Sequence, residues 1–426
     1  MPLFCDSIPC MVFGLVRYLF KFLFVLLLAL PCFAQKENLN YYLANAIENS
    51  PLLHEYQNKI ISGRIDLERL KISYKPIVYG TSNNLLAPVL GGIGYDQALT
   101  NIASFSELVN IGKTFASKGY LNSQKNAIEL SNDSLLNYEK ITEQDITKAI
   151  ITQYITVFGE QQQLKFNKEI SNILKEQEVL INKLTHNNIY RQTDYLTFLV
   201  TLKQQELQMK QLQIQTRSDL SILNYLCGLT DTVNVILEEP NIHLLPTKER
   251  INSIYFSHYK TDSIALVNSF KLIDYSYKPK VNVFANAGFS TSFLYQAYKD
   301  FGYSFGLNVA VPIFDWNQKK LLQQKVQLAQ NILNANEAFF INQYNQEAER
   351  LKIQLKSIEM LNEDINEQIK YADALIAVNS KLLQTGDAKI ADYIIAINNY
   401  LTAKNLLTQN RISKMQIINQ LNYWNH

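Results

Sequence analysis

Two spacings of apolar residues divide this chain. Over most of its length they recur every three to four positions, the period of one helix face. Ile390, Ile394, Ile397 and Leu401 stand at i, i+4, i+7 and i+11, and Leu220, Leu223 and Cys227 repeat the spacing earlier. This period predicts helices over about 39–74, 113–186 and 195–228, and again over about 248–276, 317–384 and 391–424. Neither of the two longest contains a proline, so they read as coiled-coil rods rather than parts of a compact globule. At roughly 1.5 Å per residue, 113–186 is about 110 Å long, and 39–74 with 195–228 sum to about 105 Å. The second set gives about 100 Å against about 95 Å, so two short helices stacked end to end would cover one long helix.

The second spacing is a strict alternation. In "YSFGLNVAVPIFDW" (Tyr303–Trp316), Phe305, Leu307, Val309 and Val311 hold one parity, and Ser304, Gly306, Asn308 and Ala310 hold the other. Successive strand side chains point to opposite faces, so one face is apolar and the other small or polar. "KVNVFANAGF" (Lys280–Phe289) alternates in the same way, with Phe284 interrupting a polar row of Asn282, Asn286 and Gly288. About nine to eleven residues carry a tilted strand across a bilayer, and Tyr303, Phe314 and Trp316 suit an interfacial aromatic belt. Phe305, Leu307, Val309 and Val311 are the candidate lipid-facing residues. The earlier pair, "IVYGTSNNLLAP" and "IASFSELVNI", alternates poorly, and its Glu107 is expected in the lumen or a loop. Alternation alone also describes a sandwich strand on a soluble core.

The pattern occurs twice. "YKP" stands at Tyr74–Pro76 and at Tyr277–Pro279, 203 residues apart. "NIYRQTDYL" and "DAKIADYII" place Asp194 and Asp392 198 residues apart, and "SILNYL" and "QIINQL" lie 195 apart. Three landmarks in one order at nearly one offset indicate an internal duplication. The first repeat is expected over 35–240, with a strand pair at 77–111 and a tip near 187–194. The second covers 241–426, with a strand pair at 280–314 and a tip near 385–392. Two hairpins make four strands, too few to close around water, and an open edge in lipid leaves costly unpaired backbone groups. Closure must come from other copies: eight strands from a dimer make a filled barrel, twelve from a trimer an open lumen.

Composition narrows the setting. Lys and Arg number 40 against 38 Asp and Glu, so no basic surplus points to nucleic acid. "MVFGLVRYLFKFLFVLLLALPCFAQ" (Met11–Gln35) has the basic start, short apolar run and small-residue close of an export signal, placing cleavage after Ala34. Residues 1–34 are the expected signal peptide, with Met11 a candidate start. The apolar run Phe22–Leu30 is too short to span a bilayer as a helix, and Pro31 argues against lipidation at Cys32. Export removes Cys5, Cys10 and Cys32 and leaves Cys227 alone, so no internal disulfide is expected. No later stretch is apolar for long enough to cross as a helix; any membrane span must use strands.

Catalytic motifs are missing. The five His (His54, His186, His243, His258 and His426) are scattered without metal-ligand spacing. "GGIG" (Gly91–Gly94) lacks the strand-turn-helix setting of a phosphate loop. The expectation is a protein that is not an enzyme and holds no cofactor or metal.

Several stretches together carry a resemblance: "LANAIENSPLL" (Leu43–Leu53), the paired "YKP" ends, "YSFGLNVAVPIFDWNQKK", and "TGDAKIADYI" (Thr385–Ile394). Over essentially the whole mature chain the sequence resembles the TolC-type outer-membrane efflux proteins. The resemblance implies a mainly α fold with a β-barrel portion: long antiparallel coiled-coil hairpins, and a homotrimer with a twelve-stranded outer-membrane barrel. A helical tunnel continues that barrel through the periplasm and opens toward an inner-membrane transporter and its periplasmic adaptor. Tips of the family carry a Gly, five residues and an Asp, matched by Gly386 and Asp392; Asn188 stands at the Gly position before Asp194. The resemblance makes Asp392 and Asp194 the pore-constriction candidates, and Asn188, Thr193, Gly386 and Asp387 the adaptor-docking tip. It departs where relatives carry a second acid, here Ile395, and a basic residue, here Ala388. Asp392 is also a residue favoured by the helix dipole at an N-terminus. Two readings follow: a passive exit duct for efflux or type I secretion, or a periplasmic coiled-coil scaffold without a pore.

Overall fold

The computed structural model describes residues 38–230, 235–246, 253–295 and 297–425. The segment expected to direct export, and the beginning of the helix expected from 248, lie outside the described residues. The elements are α1 (Leu39–Glu48), α2 (Pro51–Ser73), β1 (Ile77–Leu86), α3 (Gln97–Thr100), β2 (Ala103–Phe115), α4 (Lys118–His186) and α5 (Gln192–Leu226). They continue as α6 (Ile254–Ser276), β3 (Lys280–Thr291), β4 (Phe301–Ala310), α7 (Gln318–Thr385) and α8 (Ile390–Trp424).

The two long helices have 69 and 68 residues, about 100 Å each at 1.5 Å per residue. Along α4 run α1 and α2 on the half toward the strands and α5 on the half toward the tip; α6 and α8 divide α7 in the same way. The end-to-end stacking expected from helix lengths is therefore present. Its packing uses the periodic positions: Ile390, Ile397 and Leu401 are buried with Phe198, Leu202 and Ile181 at the tip end. Leu220, Leu223 and Cys227 join Tyr42, Tyr154 and Phe158 midway along α4. Burial pushes the Cys227 thiol up to about 12, so it packs as an inert apolar group.

Three boundaries differ from expectation. The helix expected over 39–74 is interrupted at Asn49–Ser50. Ser50 Oγ accepts from the Leu53 amide at 3.4 Å, Pro51 stands at the first helical position, and Asn49 Nδ2 donates to the Cys227 carbonyl at 3.0 Å. The helix expected from 113 begins at Lys118, because Lys113–Phe115 pair with Val281–Val283 and Ser117 caps α4 through the Tyr120 amide. The strand pair expected to end at 111 thus reaches Phe115. At the other strand-to-helix junction β4 ends at Ala310, so Val311 lies one residue beyond the ladder. There Trp316 and Asn317 take left-handed backbone (φ +53° and +67°), while the amides of Lys319 and Asn317 bond the Asp315 carboxylate and hold it below the usual carboxylate range.

The four strands form one antiparallel sheet in the order β1-β2-β3-β4, leaving β1 and β4 as open edges. Register places Glu107 opposite Phe289 and Ser82, on the face that carries Val109 and Ile111, not on the inner one. Ser82 and Asn84 side chains donate to Glu107 Oε1 at 2.7 and 3.2 Å. Two polar neighbours one strand away let a carboxylate stay on an apolar face.

Candidate functional site

The rod has two ends with distinct chemistry. At the tip, both hairpin turns use one backbone solution. α4 closes with Asn188 at φ +60°, and the Ile189 amide donates back to the Leu184 carbonyl at 3.0 Å. α7 closes with Gly386 at φ +84°, and the Asp387 amide donates to the Leu382 carbonyl at 2.9 Å. Left-handed residues ending helices with six-residue back-bonds are what Gly and Asn permit. Asp194 and Asp392 then each fall in the first turn of the next helix, where the amides are free and the dipole is positive.

The turns are joined to one another. The Tyr190 hydroxyl lies 2.9 Å from the Leu383 carbonyl oxygen and 3.0 Å from that of Ala388, so it donates into the second turn. Burial, then the charge of Asp387, raises the Tyr190 phenol above its ordinary value, keeping it a donor. Ile189 lies against Gly386. Beneath them Phe198, Ile181, Tyr393 and Leu383 are fully enclosed. Asp392, Asp387, Asn188 and Thr193 are exposed around this core, while Asp194 and Gly386 are half-buried. Among the described residues no basic side chain pairs with Asp194 or Asp392. Sequence reasoning missed Tyr190. Its position, two after the left-handed residue, is occupied by Ala388 in the second turn. That mismatch was the only signal available.

At the other end the sheet has two unlike faces. Along β2, Glu107, Val109 and Ile111 are more exposed than Ser106, Leu108, Asn110 and Gly112, which marks their face as convex. Phe305, Leu307 and Val309 share this convex face through the β3 register and are 82, 64 and 51% exposed. The concave face carries Thr81, Asn83, Ser106, Asn110, Asn282, Asn286, Ser304 and Asn308, interrupted by Phe284 and, on the first pair, by Ile77, Tyr79, Leu85 and Leu108. Its polar groups bond among themselves: Asn110 Nδ2 donates to Thr81 Oγ1 at 2.9 Å, and Ser304 Oγ to Asn286 Oδ1 at 2.8 Å. Lys280, at the end nearest the helices, is the one charged side chain of these four strands on that face.

Midway along the rod a third feature stands out. Glu160 of α4 faces Asp219 of α5, whose carboxylate accepts from Gln153 and Gln215 at 3.2 and 2.6 Å. Glu160 Oε2 is buried with no partner among the described residues. Burial first, and the neighbouring Asp219 second, push the Glu160 carboxyl up to about 8. At neutral pH it is largely protonated, which turns the orphaned oxygen into a donor toward Asp219.

Among the described residues no group of three His, Cys, Asp or Glu side chains could hold a metal, and no helix is long and apolar enough to cross a membrane. No protein-family model matches the chain. No curated protein matches it in sequence. Solved structures do match in shape. CusC superposes with a TM-score of 0.76 at 11% identity, covering 91% of each chain. VceC of Vibrio cholerae, an outer membrane protein, gives 0.74 at 13% identity over 91% of this chain and 96% of its own. The open state of the Neisseria gonorrhoeae MtrE outer membrane channel gives 0.74 at 11%, over 91% and 88%. The fold is that of outer-membrane channels. The mainly α architecture with a four-stranded sheet, expected from the resemblance to TolC-type proteins, is the one this chain adopts.

Proposed function

We propose that this chain is the outer-membrane exit duct of a tripartite efflux or type I secretion system in a Gram-negative envelope. It acts as a passive homotrimer opened by a periplasmic adaptor and an inner-membrane transporter. One observation carries the reading: in a sheet open at both edges, β3 and β4 present an apolar convex face, strongly exposed along β4, and a concave face that is polar or small apart from Phe284. Such a sheet is stable in lipid only when copies close it into a barrel, and three copies make twelve strands. An exposed seam along α7 supports assembly of the helices as well. Ile332, Phe339, Ile353 and Met360 fall on one seven-residue repeat, followed by Tyr371, Leu375, Val378 and Leu382 at alternating steps of four and three. The structural neighbours are channels of the outer membrane.

In this reading residues 1–34 direct export, and two structural repeats, 35–240 and 241–426, supply one barrel hairpin and one tunnel hairpin each. Phe305, Leu307, Val309 and Val311 meet lipid. Asp392, with Asp194 behind it, forms the pore constriction, where three copies put carboxylates in one ring that favours cations. Asn188, Thr193, Gly386 and Asp387 form the surface that receives the adaptor. Conductance of the purified trimer in a planar bilayer tests this, with Asp392→Ala beside wild type. Small cation-selective currents, less selective in the variant, are expected. Currents with unchanged selectivity would move the constriction elsewhere, and no insertion from a folded oligomer would leave the scaffold reading.

A further inference from the structure

Of the two second-repeat strands, the concave face carries one large apolar residue, Phe284. Phe284 stands in a column whose neighbours are Asn282 and Asn286, and it is 39% exposed. Its cross-strand partners are both glycine: Gly112 on β2 and Gly306 on β4. The two glycines are not equivalent. A Cβ at 306 would lie 2.5 Å from Phe284 Cζ, so the ring is laid down over Gly306. A Cβ at 112 would meet nothing within 4 Å. The ring therefore lies flat along the wall on one side, with its open face toward the lumen. Ile77, opposite Gly112, continues the same row and is 56% exposed. The row below holds Thr114, Asn282 and Asn308, and the row above holds Asn110, Asn286 and Ser304 with Tyr79 at its β1 end.

Resting on the duct reading, we propose that Phe284 is a specificity-determining residue of the barrel wall. Three copies form an aromatic collar near the helix end of the lumen, and Gly306 holds each ring flat so that it offers its face without narrowing the bore. The collar transiently retains cargo bearing flat apolar groups, above all organic cations, which gain from the ring quadrupole. The rows on either side of it contribute neutral amides and hydroxyls; Lys280, the one charged side chain on this face, stands two rows toward the helices, where it lies over the Tyr120 ring. Small hydrated ions pass without contact.

The test uses the full trimer in planar bilayers, with potassium as current carrier and tetraphenylphosphonium added on the side of the barrel mouth. The probe reaches the collar without crossing the tip. Discrete block of the wild-type current is expected, weaker by roughly tenfold in Phe284→Ala and Phe284→Leu, as loss of about one aromatic contact implies. Gly306→Ala weakens block by about threefold through the displaced ring, whereas Gly112→Ala leaves it within about twofold. Phe284→Leu keeps an apolar side chain there should the alanine variant fail to assemble. Wild-type block retained in both conducting Phe284 variants, or in whichever one conducts, would overturn the proposal, as would equal effects of the two glycine changes. Absence of any wild-type current would instead remove the duct reading beneath it.

Discussion

The hairpin of α4 and α5 and the hairpin of α7 and α8 are matched in length: 69 and 35 residues against 68 and 35. Their left-handed turn residues, Asn188 and Gly386, are 198 positions apart. The same offset relates Asp194 to Asp392 and Tyr195 to Tyr393. What differs is where polarity is buried. Glu160 and Asp219 face each other across the first hairpin, and the same offset leads to Ile358 and Ile417, which pack together with Leu351 in the second. Tyr190, which reaches across to the second turn, corresponds to Ala388, which receives it. One plan thus supports a hairpin whose corresponding position holds two isoleucines and a hairpin with a titratable joint, and the turns act as donor and acceptor rather than as two equal copies.

The largest effect is expected from Phe198, which is enclosed where the two hairpins meet. Phe198→Ala should cost about 3–5 kcal/mol, read by chemical denaturation, and should loosen both tips together in hydrogen exchange. If only the first hairpin loosens, the two do not form one unit. Next comes the Glu160–Asp219 joint. A carboxyl raised from 4.5 to about 8 binds its proton more tightly folded than unfolded. Stability is therefore full below about pH 4.5 and declines as pH rises toward 8, by about 2 kcal/mol, since residual solvent contact trims the full shift. Glu160→Gln should flatten this slope in melting temperature against pH. An Ile358→Glu and Ile417→Asp double variant should create a similar slope in the second hairpin.

Smaller effects separate the turns. Gly386→Ala should cost about 1–2 kcal/mol, because φ is left-handed and a Cβ would press on Ile189. Asn188→Gly should be close to neutral, so thermal melts of the two variants measure how differently the turns tolerate side chains. Tyr190→Phe removes one donor and should cost about 1 kcal/mol, seen as faster amide exchange of the second turn and not of the first. Equal acceleration in both turns would mean that the phenol ring, not its hydroxyl, joins them.

Much of this architecture was legible because it is periodic. The seam through Ile390, Ile394, Ile397 and Leu401, the alternation of β4, and the Asn188 and Gly386 turns each depend on a few neighbouring residues. The break at Asn49–Ser50 was also written locally, in a capping Ser followed by Pro, but a continuous apolar period masked it. Lys113–Phe115 became strand because β3 offered partners as far as Val281, an influence from a segment well over a hundred residues away.

Local sequence was enough for the element types and their order, the rough reach of the long helices, the doubled plan and the two parities of β4, since helix and strand periods act over a few residues. Only the tertiary structure decided which sheet face is convex, that Glu107 shares it, that Phe284 lies over Gly306, and that Tyr190 donates into the opposite turn. Each of these contacts joins segments separated by many residues and follows no period. Register and packing fix them, and no short stretch of sequence carries either.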